Sequence, residues 1–230
     1  MGSQEERDST MALRAELTTL KRRGSNLLVV GAVAADIHQQ ACHRFLGDET
    51  FAPRQRIAVL TGTHHTGIEQ YLTGPHSPAA STRIINYAPD ARATSAEAIL
   101  NEESTVATEA EPENLPELKT TVAESIAGIQ DHNKNLSPAE LRVCVDSLLP
   151  LIDGNGREAV VRLVYPLAQR IRAAQGMGHF HLPIDPELAV VEEFEPMFEA
   201  MIELRMNQGV PEQRWHLRDA DAMSEWLPLK

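Results

Sequence analysis

The sequence predicts a three-layer α/β domain whose central sheet is mostly parallel. Short apolar runs typical of buried strands alternate along the chain with segments whose apolar residues recur every three or four positions. This alternation favours parallel strands joined by helices that cover both faces of the sheet. Towards the C-terminus, two strand-like runs flank Asn207-Gln208-Gly209, which predicts an antiparallel hairpin.

The first half of the chain supplies three predicted strands and two predicted helices. Leu27–Val30 is an apolar run between two glycines, as expected for a strand buried on both faces. Helices are predicted over Met11–Arg23 and Asp36–Leu46 because apolar residues recur at helical spacing in both. The apolar runs Ile57–Leu60 and Arg83–Tyr87 predict the next two strands.

The second half repeats the alternation before the hairpin. Apolar residues at helical spacing predict helices over Leu115–Ile129, Arg157–Ala174 and Pro186–Phe198. Apolar runs predict the strands Leu141–Val145 and Gly176–Leu182, followed by the hairpin strands Ala200–Arg205 and Gln213–Arg218.

Two segments read as loops. Residues 61–81 contain three glycines, two prolines and three histidines, which predicts a loop with a short helix around Ile68–Tyr71. Residues 88–114 are acidic and rich in Thr, Ala and Glu, so a mobile loop is expected there.

Length and composition fit one globular domain, placed at residues 12–220, because the 230 residues are 42% hydrophobic. Residues 1–11 are expected to be disordered and residues 221–230 to form a tail. No apolar run reaches the ~18 residues of a membrane helix, and the polar N-terminus lacks secretory-signal features. Cys42 and Cys144 lie in apolar segments and are expected to be buried free thiols. A cytoplasmic protein is therefore expected.

The charge balance is strongly acidic. Formal net charge is -12, and only four of the 21 basic residues are lysine. This bias resembles proteins of halophilic archaea, although an ordinary acidic protein from a GC-rich genome would share it. At molar salt the Debye length falls to about 3 Å. Under those conditions the acidic charge is only weak evidence against nucleic-acid binding.

Two segments resemble the strands that carry the Walker motifs in nucleotide-binding α/β cores. The predicted strand Leu141–Val145 ends in Asp146-Ser147, the position of a Walker B aspartate. The glycine-flanked strand that ends at Gly31 lies where a Walker A strand precedes its phosphate loop. After Gly31 the chain reads Ala-Val-Ala-Ala-Asp-Ile, without the Gly-Lys-Ser/Thr that binds phosphate and Mg²⁺.

These motifs and the order of elements resemble the RecA/KaiC-like ATPase core over residues 20–220. The segment 24–31 (Gly-Ser-x-Leu-Leu-Val-x-Gly) is similar to the approach to a KaiC-type Walker A, and 142–148 (Arg-Val-Cys-Val-Asp-Ser-Leu) to that family's Walker B strand. Residues 41–46 occupy the place of the next helix, and 201–205 with 214–218 look like the terminal hairpin. The similarity is greatest to haloarchaeal KaiC/RecA-like proteins, whose pattern also includes Gly-His-x-His-Leu-Pro.

The resemblance implies a nucleotide cleft formed by Gly31, Asp36, Asp146 and Ser147. Alanine methyl groups and Asp36 replace the glycines, lysine and Mg²⁺-binding hydroxyl of a P-loop, and residues 61–65 (Thr-Gly-Thr-His-His) lack the expected catalytic carboxylate. We therefore expect a degenerate cleft with no catalytic residue and no cofactor, with ATP and Mg²⁺ as the less favoured alternative. Asp36 is expected to cap its helix, and Asp146 to cap the turn after its strand.

The histidines suggest a metal site without specifying one. His179 and His181 share one face of a predicted strand, and Cys42, Cys144 and Asp146 could add ligands. No Cys-x-x-Cys or His-Glu-x-x-His pattern fixes a geometry. We therefore expect no metal, with His179 and His181 as weak candidates and structural hydrogen bonding as their favoured role.

Several aromatic and basic side chains in the second half of the chain also have two possible interpretations. Trp215, Trp226, Phe194 and Phe198 either form a binding surface or, as favoured, pack in the core. Four arginines either form a DNA-binding stripe or, as favoured, pair with acidic residues; these are Arg142, Arg205, Arg214 and Arg218.

The resemblance and its departures predict a catalytically inactive RecA/KaiC-like protein that works through protein–protein contacts as a regulatory, signalling or assembly component. A homo-oligomer or a stable protein partner is expected. The apolar stripe Met11, Leu13, Leu17 and Leu20 either engages a neighbour or packs on its own domain. The alternatives are a nucleotide-binding recombinase-type paralogue that acts on DNA, which is less favoured, and a metal-dependent enzyme, which is least favoured.

Overall fold

The computed structural model describes residues 15–47, 53–62, 81–87, 89, 106–133 and 136–229. Among these residues, no helix is both long enough and apolar enough to cross a bilayer. The predicted short helix at Ile68–Tyr71, most of the 88–114 segment and residues 1–11 lie outside the described residues.

One sheet organises the described residues. Its strands are β1 Ser25–Val30, β2 Gln55–Leu60, β3 Ser81–Asn86, β4 Val106–Ala110, β5 Leu141–Val145, β6 Met177–Leu182, β7 Ala200–Asn207, β8 Val210–Leu217, β9 Ala222–Met223 and β10 Leu227–Pro228. The strand order is β10-β8-β7-β1-β6-β5-β2-β3-β4, with β9 also paired to β8. Strands β1 to β6 and the β1–β7 pair are parallel, whereas the pairs of β8 with β7, β9 and β10 are antiparallel. The predicted α/β fold with a mostly parallel sheet and a C-terminal antiparallel hairpin is confirmed.

Helices cover both faces of the sheet. They are α1 at residues 15–23, α2 Ala35–Leu46, α3 Leu115–His132, α4 Leu149–Asn155, α5 Arg157–Ala173 and α6 Ala189–Phe194. Alternate residues of β1 point to opposite faces, as the strand period requires. Leu28 and Val30 pack with α3 and α5, whereas Leu27 and Val29 pack with α1 and α2. The three predicted layers are therefore present.

Some elements differ from the sequence-based prediction. Strand β4 lies inside the 88–114 segment, and α4 follows β5 where no helix is predicted. The helix predicted over Pro186–Phe198 is shorter, because the amide of Glu187 bonds the side chain of Asp185 in a turn and Pro196 falls in a 3₁₀ turn after α6. Residues 221–230, predicted as a tail, contain β9 and β10, and Leu229 is buried.

The N-terminal helix bears on the predicted partner contacts. Helix α1 confirms the described part of the helix predicted over Met11–Arg23. Leu20 is buried and Leu17 packs beside it against the domain's own core. Of the two predicted roles of the apolar stripe, these two leucines therefore show packing on their own domain. Met11 and Leu13 lie outside the described residues.

Candidate functional site

The candidate site lies at the carboxyl ends of the parallel strands, where open α/β sheets bind their ligands. Gly31 follows β1, Thr61 follows β2 and Asp146 follows β5. In the sheet, β6 separates β1 from β5. The structure thus places the predicted cleft residues at one edge of the sheet, with Gly31 and Asp36 on one side of β6 and Asp146 and Ser147 on the other.

The turn after β1 is tightly packed, and both backbone polar groups of Gly31 are already used. The Gly31 amide donates to the Ile184 carbonyl oxygen at 2.9 Å, and the Gly31 carbonyl oxygen lies 2.9 Å from His38 Nε2. Gly31 has a φ of +142°, and a Cβ added there would meet the Leu204 carbonyl oxygen at 2.5 Å. Only glycine fits this turn, which lies close against β7.

A carboxylate stands at the N-terminus of α2. Asp36 is exposed in the first helical turn, and its Oδ1 lies 3.0 Å from the amide nitrogen of Ile37. The prediction that Asp36 caps the helix is wrong in detail: the N-cap is Ala34, which makes no side-chain cap, and Asp36 contacts the amide of its own neighbour. The negative charge still interacts favourably with the helix dipole.

The Asp146 side chain links the carboxyl ends of β5 and β2. Its Oδ1 accepts the Thr61 amide at 2.8 Å and lies 2.9 Å from Thr61 Oγ1. The predicted capping of the next turn belongs instead to Ser147, whose Oγ accepts the Leu149 amide at the start of α4. The predicted capping role of Asp146 is therefore wrong, because its carboxylate bonds Thr61 at the end of the neighbouring strand β2 and not the turn after β5.

The structure also brings together four of the five side chains that the sequence suggested as possible metal ligands, and Asp146 is not among them. One ligand atom from each of Cys42, Cys144, His179 and His181 lies within 4.8 Å of the others. Cys144 and His179 are directly opposed in the β5–β6 register, His181 follows on the same face, and Cys42 reaches down from α2. All four are at most 1% exposed, and the two cysteines are free thiols, as predicted.

His38 is the functional candidate that the sequence analysis missed. His38 Nδ1 lies 3.0 Å from His181 Nδ1, while its Nε2 faces the Gly31 carbonyl oxygen. The available signal was its spacing of four residues from Cys42 on a predicted helix, which places both side chains on one face. This contact links the buried cluster to the turn after β1.

Burial sets the protonation of the cluster. It lowers the pKa of His179 to about 3, with the Arg142 cation adding to the effect, and it lowers the pKa of His181 well below its usual value. Burial also lowers the pKa of His38 and raises that of Cys144. At neutral pH the three imidazoles are therefore neutral, and Cys144 is a thiol in the absence of a cation.

The arginines do not form a free basic stripe. Arg205 pairs with Glu212 and Arg214 with Glu203. Arg142 and Arg218 donate to backbone carbonyl oxygens of Phe45 and Pro196 respectively. Ion pairs and backbone contacts thus use these side chains, which confirms the favoured alternative for the first two.

The aromatic residues are likewise structural. Phe194 and Phe198 are buried in the main core, and Trp215 packs beside Phe45 with ring centroids 5.9 Å apart. The Arg205 and Arg214 guanidinium carbons lie 3.8 Å and 4.5 Å from the centre of the Trp226 ring. These contacts fix the C-terminal segment to the hairpin.

Sequence comparison places the chain in a family. The model of the "Family of unknown function (DUF7504)" matches residues 24–204, which is well over half of the chain. The chain belongs to this family. No curated protein matches the DUF7504 chain significantly.

Structural comparison supports the fold of the DUF7504 chain. The crystal structure of the KaiC-like protein PH0186 from the hyperthermophilic archaeon Pyrococcus horikoshii OT3 matches it with a TM-score of 0.54 and 11% identity. The match covers 90% of this chain and 85% of the other. At this identity the likeness establishes the fold, a RecA-like core, and leaves function to the site itself.

Proposed function

We propose that this DUF7504 protein is a RecA/KaiC-like protein that does not hydrolyse ATP and acts through protein–protein contacts as a regulatory or assembly component. The observation that carries this proposal is Asp36 at the N-terminus of α2. A helix N-terminus binds phosphate through free amides and a positive dipole end. Here a carboxylate of the chain itself occupies that position and would repel a nucleotide phosphate.

The neighbouring groups support the same conclusion. The Gly31 amide is bonded to Ile184, and no lysine stands in the turn from Gly31 to Ile37. A P-loop depends on such amides and on a lysine that reaches the β- and γ-phosphates. The turn therefore lacks the lysine, and its first amide is already used inside the protein.

The Walker B position supports the loss of catalysis. Asp146 Oδ1 is bonded to the Thr61 backbone and lies beside its hydroxyl, so that oxygen stabilises the junction of β2 and β5. Thr61 and Gly62, which follow β2, carry no carboxylate to activate water. Phosphoryl transfer also needs a group that positions and activates water, and Thr61 and Gly62 do not provide a carboxylate for that role.

Exposed apolar side chains support a role in contacts. Met206, Val210, Met223 and Leu227 are each more than a third exposed, and all belong to strands at the β7–β10 end of the sheet. These side chains are candidates for a protein contact, because exposed apolar surface marks interfaces where it is contiguous. Because α1 packs on its own domain through Leu20, this end of the sheet is the better-supported contact surface.

Nucleotide binding and turnover test the first half of the proposal. We expect no Mg²⁺-dependent phosphate release in multimolar KCl and no saturable binding of a fluorescent ATP analogue. The matched variants are Asp146→Asn, which alters the Walker B position, and Asp153→Asn, which changes an exposed carboxylate on α4. Turnover that disappears in Asp146→Asn and persists in Asp153→Asn would overturn the proposal.

Light scattering after size exclusion tests the second half. We expect a mass above that of the 25.4 kDa chain, or a specific protein that copurifies from the native host. Replacing Met206 and Val210 with Ser should weaken that association, whereas Leu188→Ser, an exposed control outside the hairpin, should not. A monomer at all micromolar concentrations, with no copurifying protein, would contradict the assembly role and favour the nucleotide- or DNA-binding alternative.

A further inference from the structure

Beyond the proposed function, we propose that Cys42, Cys144, His179 and His181 form a site for one tetrahedral divalent cation of the zinc class. The four residues come from α2, β5 and β6, and their ligand atoms already lie within 4.8 Å of one another. Two thiolates and two imidazoles are a donor set that zinc prefers in structural sites. The site would join α2 to the sheet beneath it.

The β-sheet register explains why the ligands converge. Cys144 faces His179 across the β5–β6 pair, so their side chains project from the same face. His181 is two residues further along β6 and projects from that face as well. Cys42 Sγ lies 2.7 Å from Cys144 Sγ and 3.4 Å from His179 Nε2.

Hydrogen bonding around His181 leaves one nitrogen for a ligand. The Gly31 carbonyl oxygen can only accept, so the neutral His38 carries its proton on Nε2. His38 Nδ1 must then accept from His181 Nδ1, and His181 Nε2 is left with a lone pair. That Nε2 is buried and has no hydrogen-bond partner. Such an unpaired buried atom is costly, and a cation would satisfy it.

The chain from Gly31 through His38 to His181 also has the form of a support for a metal ligand. Metal-binding histidines usually donate their second ring N–H to another acceptor, which fixes ring orientation and tautomer. His38 provides that acceptor, and it is itself held by the backbone at Gly31. His38 is thus a positioning residue and not a ligand.

Charge and solvation favour a bound cation in this position. Two thiolates and a divalent cation sum to zero, so the loaded site adds no net charge to a fully buried region. Apolar residues, among them Leu46, Ala58 and Leu60, surround the cysteines. With four protein ligands and no solvent access, the site has the closed form of a structural zinc site, without the open position that catalysis needs.

The distance between the two cysteine sulfurs is intermediate between the distance in a disulfide and the distance in a zinc-bound pair of thiolates. The 2.7 Å distance between Cys42 and Cys144 lies between the ~2.05 Å of a disulfide and the roughly 3.8 Å that two sulfurs adopt at a tetrahedral zinc with Zn–S bonds of about 2.3 Å. Metal binding therefore needs side-chain adjustments that move the two sulfurs apart and draw in the ligand atoms that now lie up to 4.8 Å from one another. A disulfide would use both sulfurs and exclude the cation.

Metal content and a cobalt spectrum test the proposal on the full chain. Protein purified under reducing conditions with Zn²⁺ should retain about one zinc per chain after gel filtration. After chelation and anaerobic addition of Co²⁺, it should show the intense visible bands of tetrahedral cobalt and a near-ultraviolet thiolate-to-cobalt band. Cys144→Ser and His181→Gln should lose both signals, whereas His132→Gln, at an exposed histidine at the end of α3, should keep them.

The wild-type spectrum decides the outcome even where a variant fails to fold. Folded wild-type protein with no retained zinc and no cobalt–thiolate band would overturn the proposal. So would a Cys42–Cys144 disulfide found by mass spectrometry in protein prepared under the same reducing conditions. Retained zinc with octahedral, thiolate-free cobalt spectra would place the metal elsewhere and would also overturn it. These results leave the ATP and assembly experiments unaffected, so the two proposals fail independently.

Discussion

Replacing Gly31 with alanine tests the closed turn after β1, which supports the proposed absence of a phosphate site. The backbone φ of +142° lies where side chains are disfavoured, and the new Cβ would lie 2.5 Å from the Leu204 carbonyl oxygen and 3.1 Å from Leu204 Cβ. That oxygen belongs to the backbone of β7, which pairs with β1 in parallel register. Relief of the clash must therefore move a strand or the turn.

The expected loss of stability follows from two contributions. Strained backbone at such a φ costs about 1–3 kcal/mol, and overpacking against a fixed neighbour costs about 1–3 kcal/mol more. The free energy of unfolding should fall by roughly 2–6 kcal/mol in total. For a protein of this size each kcal/mol shifts the melting temperature by about 2–4 °C, so a loss near the middle of the range would lower it by roughly 8–16 °C.

Denaturant unfolding in high salt, followed by tryptophan fluorescence and circular dichroism, measures the effect. Gly156→Ala is the matched control, because Gly156 has a φ of +80° and nothing lies within 4 Å of its added Cβ. That variant should lose only about 1–2 kcal/mol from backbone strain. If Gly31→Ala is no less stable than Gly156→Ala, the turn is not closed against β7 and the reasoning fails.

Three further predictions concern the core and the buried cluster. Val145→Asp should destabilise by several kcal/mol, because an unpaired carboxylate enters the main core, whereas Val145→Ala should lose about 1–3 kcal/mol; equal losses in denaturant unfolding would contradict this. His38→Phe should weaken zinc binding about 10- to 100-fold in a chelator competition, and an unchanged affinity would remove its positioning role. Metal-free protein should lose stability as pH falls below 6.5, because His179 titrates near pH 3 when folded and near 6.5 when unfolded, so the unfolded state binds more protons. At about pH 4.5 this one group should cost roughly 2–3 kcal/mol, and a stability–pH slope that is the same in His179→Gln would exclude it as the cause.

The fold was largely predictable because it rests on local patterns. Buried strands such as Leu27–Val30 are continuous apolar runs, and α5 repeats its apolar residues every three or four positions. Both patterns can be recognised without knowledge of the rest of the chain. Strand β4 was missed because its sequence, Val-Ala-Thr-Glu-Ala, carries little of that pattern. An edge strand has one paired neighbour, so its composition is less constrained.

The sequence alone determined which residues of a Walker-type pattern are present and which are absent. The absence of Gly-Lys-Ser/Thr after Gly31 is a local fact, and so is the Asp146-Ser147 pair after a buried strand. The partners of those residues are not local facts. Thr61 meets Asp146 only because β2 and β5 are neighbours in the sheet, and the Gly31 amide meets Ile184 only because the chain after β6 returns beside β1.

Only the tertiary structure decided that two cysteines and three histidines form one buried cluster. Sequence spacing relates His179 to His181 and His38 to Cys42, but it says nothing about how these pairs and Cys144 meet. The β5–β6 register sets Cys144 opposite His179, and the packing of α2 on that face adds Cys42 and His38. Register and helix placement result from burial summed over the whole domain, so a site assembled from three distant segments has no signature in any one of them.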